Sequence, residues 1–138
     1  MEPILHLSLP VRDLAEARQF YVEVLGCRPG RVSDGWIDVW FYGMQVTLHE
    51  RPEEVLPDEQ RGVRHFGVTL EREELDALVS RLQGQPIRWL CPLTTDFPGT
   101  PQEQTKAKLL DSIGNAIELK SYADLVTGLG PGLTGVPR

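Results

Sequence analysis

The sequence predicts an α+β fold in which one β-α-β-β-β module is built twice, the two forming a curled mixed sheet. Three observations predict it. The segment Ile4-Leu5-His6-Leu7-Ser8-Leu9 has a near counterpart in Val63-Arg64-His65-Phe66-Gly67-Val68, with a histidine at the same place in an apolar run of strand length. Each copy continues into a segment of helical periodicity that ends on a glycine, Gly26 or Gly84. The histidines and the glycines keep almost the same spacing, an internal repeat of about 58 residues.

The elements follow in order. Residues 4–10 read as the first strand. Asp13 then offers an N-cap to a helix whose apolar positions Leu14, Ala17, Phe20, Tyr21, Val24 and Leu25 recur at three- and four-residue steps. Residues 27–33, 36–42 and 44–50 read as three strands, parted by hairpin turns at Asp34-Gly35 and Tyr42-Gly43. These make the first module, about residues 1–50. The charged, proline-bearing stretch 51–62 reads as a linker too polar to add to a core. The second module, 63–122, repeats the plan: a strand at 63–70, a helix over 72–83 with Leu75, Leu78, Val79 and Leu82 on one face, and strands at 86–91, 105–111 and 115–121. The polar, two-proline segment 94–103 has the length of a lid or binding loop. The glycine- and proline-rich tail 123–138 is expected to form neither helix nor strand from Thr127 onward.

Strand side chains alternate, so the phases can be sorted. Leu5, Leu7 and Leu9 suit the helix, which leaves His6 with Ile4 and Ser8 on the other face. His65, Gly67 and Thr69 do the same against Phe66, Val68 and Leu70, and the small residues leave room for a ligand. On the third and fourth strands the polar-bearing phase is Asp38, Trp40 and Tyr42, then Gln45, Thr47 and His49. The seventh carries Lys106 and Lys108, and the last places Glu118 opposite in phase to Ile117 and Leu119. One lone strand histidine is ordinarily a hydrogen-bonded core residue. Two at equivalent repeat positions, with a carboxylate in the same situation, form the ligand set of a divalent metal site.

Composition sets the bounds. The chain has 138 residues, 41% hydrophobic and 25% charged, as expected of one globular domain. A formal net charge of −6 gives no support for nucleic-acid binding. No apolar run has the roughly 20 residues needed to span a bilayer, and the N-terminus enters a strand at once with no signal region, so a cytoplasmic protein without membrane partners is expected. Cys27 and Cys91 have no metal-like spacing and read as free thiols.

The opening ILHLSLPVRDLAEARQFYVEVLG, the mid-chain VRHFGVTL and the closing KLLDSIGNAIELKSY resemble the vicinal-oxygen-chelate superfamily, which includes glyoxalase I, extradiol dioxygenases, fosfomycin-resistance enzymes and bleomycin-binding proteins. The resemblance covers residues 4 to about 122. It implies the glyoxalase/bleomycin resistance/dioxygenase fold, a cup of paired modules, and His6, His65 and Glu118 as metal ligands. Glyoxalase-type members place a further Glu, and epimerases a Gln, where this chain has Thr47, flanked on the same face by Gln45 and His49. Three ligands leave roughly three positions of an octahedral ion open, which favours Fe2+ or Mn2+, while Zn2+ and Ni2+ accept the same ligands.

The expected function is therefore a metal-dependent enzyme, dioxygenase-like or glyoxalase/lyase-like, acting on a small molecule that chelates the metal through adjacent oxygens. Trp40, Tyr42, Gln45 and Thr47 would line its substrate site, and His49 is the one strand-four candidate for proton transfer. Lys106 and Lys108, cations in an interior phase, imply an anionic substrate. The resemblance and the uncovered strand edges together predict a homodimer. The competing expectation is a bleomycin-resistance type protein that sequesters an antibiotic or other small molecule in a dimer groove; such members usually lack the triad.

Overall fold

The computed structural model describes residues 1–111 and 113–132. Its first sheet has strands β1 (His6–Val11), β2 (Arg28–Ser33), β3 (Trp36–Phe41) and β4 (Met44–Glu50) in the order β1-β4-β3-β2. The second has β5 (Phe66–Thr69), β6 (Arg88–Asp96), β7 (Gln104–Leu110) and β8 (Ala116–Tyr122) in the equivalent order β5-β8-β7-β6. In both, the first strand runs parallel to the last and the remaining pairs are antiparallel. The expected two-module mixed sheet is thus observed, with β1 and β5 each at the end of its own sheet.

A helix covers one face of each sheet. Asp13 Oδ1 accepts from Glu16 N at 2.8 Å and starts α1 (Leu14–Arg18), which widens into a π-helical turn over Gln19–Val24. That turn buries the consecutive residues Phe20 and Tyr21 together, whose rings meet edge to face at 5.1 Å. In the second module α3 (Arg72–Leu82) buries Leu75, Leu78, Val79 and Leu82, as its period predicts. The sheets supply Ile37, Val39, Phe41, Val46 and Leu48, then Ala107, Leu109, Ile117 and Leu119, to one continuous core. Each fully buried Leu there contributes about 1.5–3 kcal/mol. Three polar ties lock the modules together: Arg81 Nη2 donates to Leu25 O at 2.8 Å, Tyr21 Oη donates to Asp111 Oδ2 at 2.7 Å, and Asn115 Nδ2 donates to Pro10 O at 3.1 Å. Among the described residues no helix is long and apolar enough to cross a membrane.

Four expectations are corrected. The stretch 51–62 is not a featureless polar linker: it holds a 3-10 turn (Pro52–Glu54) and a short helix α2 (Asp58–Arg61), and Arg61 is buried, its charge held by Asp58 and the Gly114 carbonyl. β6 does not stop at residue 91. It runs through Pro92 to Asp96 because it is an edge strand, where a missing N–H costs no ladder bond, and its register shifts there. The segment 94–103 accordingly begins as strand over 94–96, and the connection itself is 97–103. Lastly, α4 (Leu125–Leu129) intrudes on the tail, because Asp124 caps it and Gly128 lets the helix lie against the Tyr122 ring, 2.3 Å from where a Cβ would sit. The rest of that tail, 133–138, lies outside the described residues.

Candidate metal centre

The second module brings two of the three expected ligands together. β5 and β8 align Gly67 with Glu118, and a Cβ on Gly67 would lie 1.9 Å from the Glu118 carbonyl oxygen. Gly67 is therefore a requirement of backbone approach, whereas the sequence suggested it makes room for a ligand. His65 stands just before β5. Its Nδ1 lies 2.6 Å from the Val63 carbonyl, which can only accept, so Nδ1 carries the proton. Its Nε2 faces Glu118 Oε2, 2.9 Å away. Two acceptors at this distance repel unless a proton or a cation lies between them. Glu118 is partly covered, its side chain 13% exposed, while that of His65 is 34% exposed, so the pair is open to solvent rather than buried as the strand pattern suggested.

Cations gather round this carboxylate. Lys108 Nζ lies 4.0 Å from Glu118 Oε2, and Lys120 Nζ lies 3.9 Å from Oε1 and 5.3 Å from the Tyr122 ring centroid. Lys120, two residues along β8 from Glu118, approaches the same carboxylate. Lys106 is engaged elsewhere: Asp96 Oδ2 holds it at 3.0 Å and raises its affinity for its proton.

His6 lies on the first sheet, opposite Gln45, exposed, with Nε2 3.3 Å from Ser8 Oγ. Its face is built around Asp38, only 2% exposed. Oδ1 accepts from Thr47 Oγ1 at 2.7 Å; Oδ2 accepts from Arg31 Nε at 2.6 Å and Gln45 Nε2 at 3.3 Å. Burial alone would raise this carboxyl, but the Thr47 and Arg31 hydrogen bonds, the Arg31 charge and nearby His6 outweigh it and hold it below the usual carboxylate range. Gln45 and Thr47 thus serve Asp38. Trp40 pairs with Arg28 at 6.0 Å, and His49 stands half-buried opposite Trp36 and Pro10. Tyr42 leaves the strand phase: it occupies the β3–β4 turn at φ +47, half-exposed, lining a hollow with Cys27 and Arg81.

The repeat makes the faces comparable. Ser8 pairs with Thr47 as Gly67 pairs with Glu118, and Asp38 pairs with Thr47 as Lys108 pairs with Glu118. One face carries a carboxylate where the other carries an ammonium. Among the described residues of one chain, no three His, Cys, Asp or Glu side chains converge on a position that could hold a metal. His65 and Glu118 fit two places of a divalent ion; His6 does not join them within the chain.

Sequence reading missed two members of this region, Arg64 and Arg88. They line a hollow of about 240 Å³ beside His65 and Lys108. Isolated arginines next to strands carry no sequence signal of convergence. A larger apolar cleft, about 510 Å³, lies at the module junction and includes Leu7, Leu9, Val55 and Phe66.

Residues 3–119 match the model of the glyoxalase/bleomycin resistance protein/dioxygenase superfamily, and the chain belongs to that family. A glyoxalase/bleomycin resistance protein/dioxygenase from Alicyclobacillus acidocaldarius has 30% identity and a TM-score of 0.83, over 92% of this chain and 96% of that one. The fosfomycin resistance protein FosX from Listeria monocytogenes shares the fold at 16% identity and a TM-score of 0.71, over 88% and 93% of the two chains. A further structure of FosX, complexed with Mn(II) and sulfate ion, has 18% identity and a TM-score of 0.71, over 94% and 96%. A search of curated proteins finds no significant match.

Proposed function

We propose that this protein is a metal-dependent enzyme, dioxygenase-like or glyoxalase-like, whose site is completed between two copies of the chain. The observation that carries the reading is His65 Nε2 facing Glu118 Oε2 at 2.9 Å, an arrangement that a proton or a divalent cation between them satisfies. His6 occupies the equivalent repeat position and is exposed on an end strand, so a second copy can present it. Apposing β1 of one copy to β5 of another would also cover the exposed Ile4, Leu5 and Val63, and would set the Asp38 face against the Lys108 face. The homodimer and the metal site are thus a single proposal. FosX, solved with Mn(II), makes manganese the first ion to try, with Fe2+, Zn2+ and Ni2+ alongside.

When bound, the ion supplies Lewis acidity toward adjacent oxygens of a small substrate. The chain's own residues do the rest. Lys108 and Lys120 balance Glu118 and face an anionic substrate, Lys106 is drawn away by Asp96 and takes no part, and Asp38 with Arg31, Gln45 and Thr47 forms a fixed polar wall beside His6. His49 is the titratable group on β4 assigned to proton transfer, and Trp40 flanks the same strand pair.

Elemental analysis after metal supplementation tests the reading. Wild-type protein is expected to hold about one ion per chain, and His65→Ala or Glu118→Gln to lose it. A dimer by light scattering that binds small ligands but takes up no ion would instead support sequestration.

A further inference from the structure

Beside the metal ligands, between α2 and the start of β6, the hollow of about 240 Å³ is lined by Arg61, Arg64, Arg88 and Lys108 against one carboxylate, Asp58. This concentration of positive charge stands out in a chain of net charge −6. Asp58 is already shared, Oδ1 with Arg61 Nη2 at 2.7 Å and Oδ2 with Arg88 Nη1 at 2.5 Å. Arg64 Nη1 donates to the carbonyls of Gln60 and Arg61, at 3.3 and 3.1 Å, and among the described residues it has no carboxylate within ion-pair distance. Lys108 is 4.0 Å from a Glu118 that His65 and Lys120 also contact. Four cations therefore face the hollow with one acid among them.

We propose that this hollow binds a tetrahedral oxyanion, the phosphoryl or sulfuryl group of a substrate. Planar guanidiniums present paired N–H donors to such a group, and two arginines with a lysine suit a dianion better than a carboxylate. The proposal rests on the metal-centre reading only for its role as a substrate subsite: Lys108 lines the hollow and also approaches Glu118, so the anion would sit next to the ion. Anion binding itself needs no metal.

The test uses the whole 138-residue chain, isotopically labelled and kept in chelator, titrated with inorganic phosphate at constant ionic strength while the arginine Nε–Hε resonances are followed. Saturable shifts at Arg64 and Arg88 are expected. Arg64→Gln and Arg88→Gln should each weaken phosphate by about tenfold, and acetate should bind wild type about tenfold more weakly than phosphate. Lys106→Met should bind phosphate as wild type does, because Asp96 already engages that ammonium. Arg64 and Arg88 are exposed, and circular dichroism checks each fold; should a variant unfold, the wild-type resonance map decides alone. Arginine resonances that do not respond to phosphate, or folded variants that bind like wild type, overturn the subsite. Metal uptake with no phosphate response removes this proposal and leaves the metal centre. Phosphate binding that persists in a protein with no metal uptake does the reverse.

Discussion

Replacing Gly67 by alanine should damage the site through the backbone rather than through any lost side chain. The new Cβ would stand 1.9 Å from the Glu118 carbonyl oxygen, 2.8 Å from its carbonyl carbon and 3.1 Å from its nitrogen, all of them main-chain atoms that cannot rotate away. β5 must move off β8, and the strand has only four residues, paired from Phe66–Ile117 to Thr69–Lys120. Overpacking costs about 1–3 kcal/mol, and weakening two ladder hydrogen bonds adds about 1 kcal/mol each, for a total of about 3–5 kcal/mol. Gly35→Ala is the control. Gly35 has φ +80 but nothing within 4 Å of an added Cβ, so it should cost only about 1–2 kcal/mol in left-handed strain. Urea unfolding followed by tryptophan fluorescence measures both. If Gly67→Ala is no more costly than Gly35→Ala, the close approach of β5 to Glu118 is wrong, and so is the geometry that places His65.

Three further outcomes follow from buried or braced polar groups. Tyr21→Phe removes the hydroxyl donor to Asp111, whose carboxyl is raised by burial against the hydrogen bonds of Asn115, Tyr21 and Ile113; the loss should be about 2 kcal/mol at neutral pH. A raised carboxyl erodes stability as pH climbs from the ordinary carboxylate range toward its folded pKa, and losing Tyr21 deepens that erosion. The gap between wild type and Tyr21→Phe should therefore shrink below about pH 4 in acid-range unfolding curves. Asp38 has the opposite sign: its lowered carboxyl contributes stability above the ordinary range that disappears as pH falls through its folded value. Arg31→Met should cost about 1 kcal/mol at neutral pH, a figure reduced for the 67% exposure of Arg31, and almost nothing in acid. Burial pushes the Cys27 thiol up to about 12, despite Arg81 nearby, so an alkylating reagent at pH 8 should label Cys91 alone in native protein and both cysteines after unfolding, as read by mass spectrometry.

The fold was legible because the periodicities were clean. The helix face Leu75, Leu78, Val79, Leu82 and the strands 44–50 and 115–121 announced themselves within a residue or so of their observed limits. The repeat did more than either period, since it made His6 and His65 equivalent before any pairing was known. What failed was local chemistry read without its surroundings. Pro92 reads as a strand end and is one only in an interior strand; the sequence does not say which strands are edges. Gly67 looked like space and is a contact. Lys106 and Lys108 share a phase, yet Asp96, on a stretch read as loop, captures only the first. Arg64 and Arg88 meet across 24 residues of sequence with no pattern to announce it. The triad was read as one cluster, but strand phase gives the face of a residue and not which sheet lies opposite. Within one chain only His65 and Glu118 meet.

We propose that His6 of one copy completes the His65–Glu118 pair of another, and mixing two variants that each lack a ligand tests it. His6→Ala and Glu118→Gln homodimers each lack a ligand at both sites. Unfolded together in equal amounts and refolded, half of the dimers are mixed. In a mixed dimer one site keeps all three ligands, from His6 of the Glu118→Gln chain and His65 and Glu118 of the His6→Ala chain. Manganese content, by elemental analysis or electron paramagnetic resonance, should therefore recover in the mixture to about a quarter of the wild-type value, from near zero in either variant alone. A mixture that stays as empty as its two parents would contradict the shared site, and full wild-type uptake by His6→Ala alone would remove His6 from the metal centre altogether.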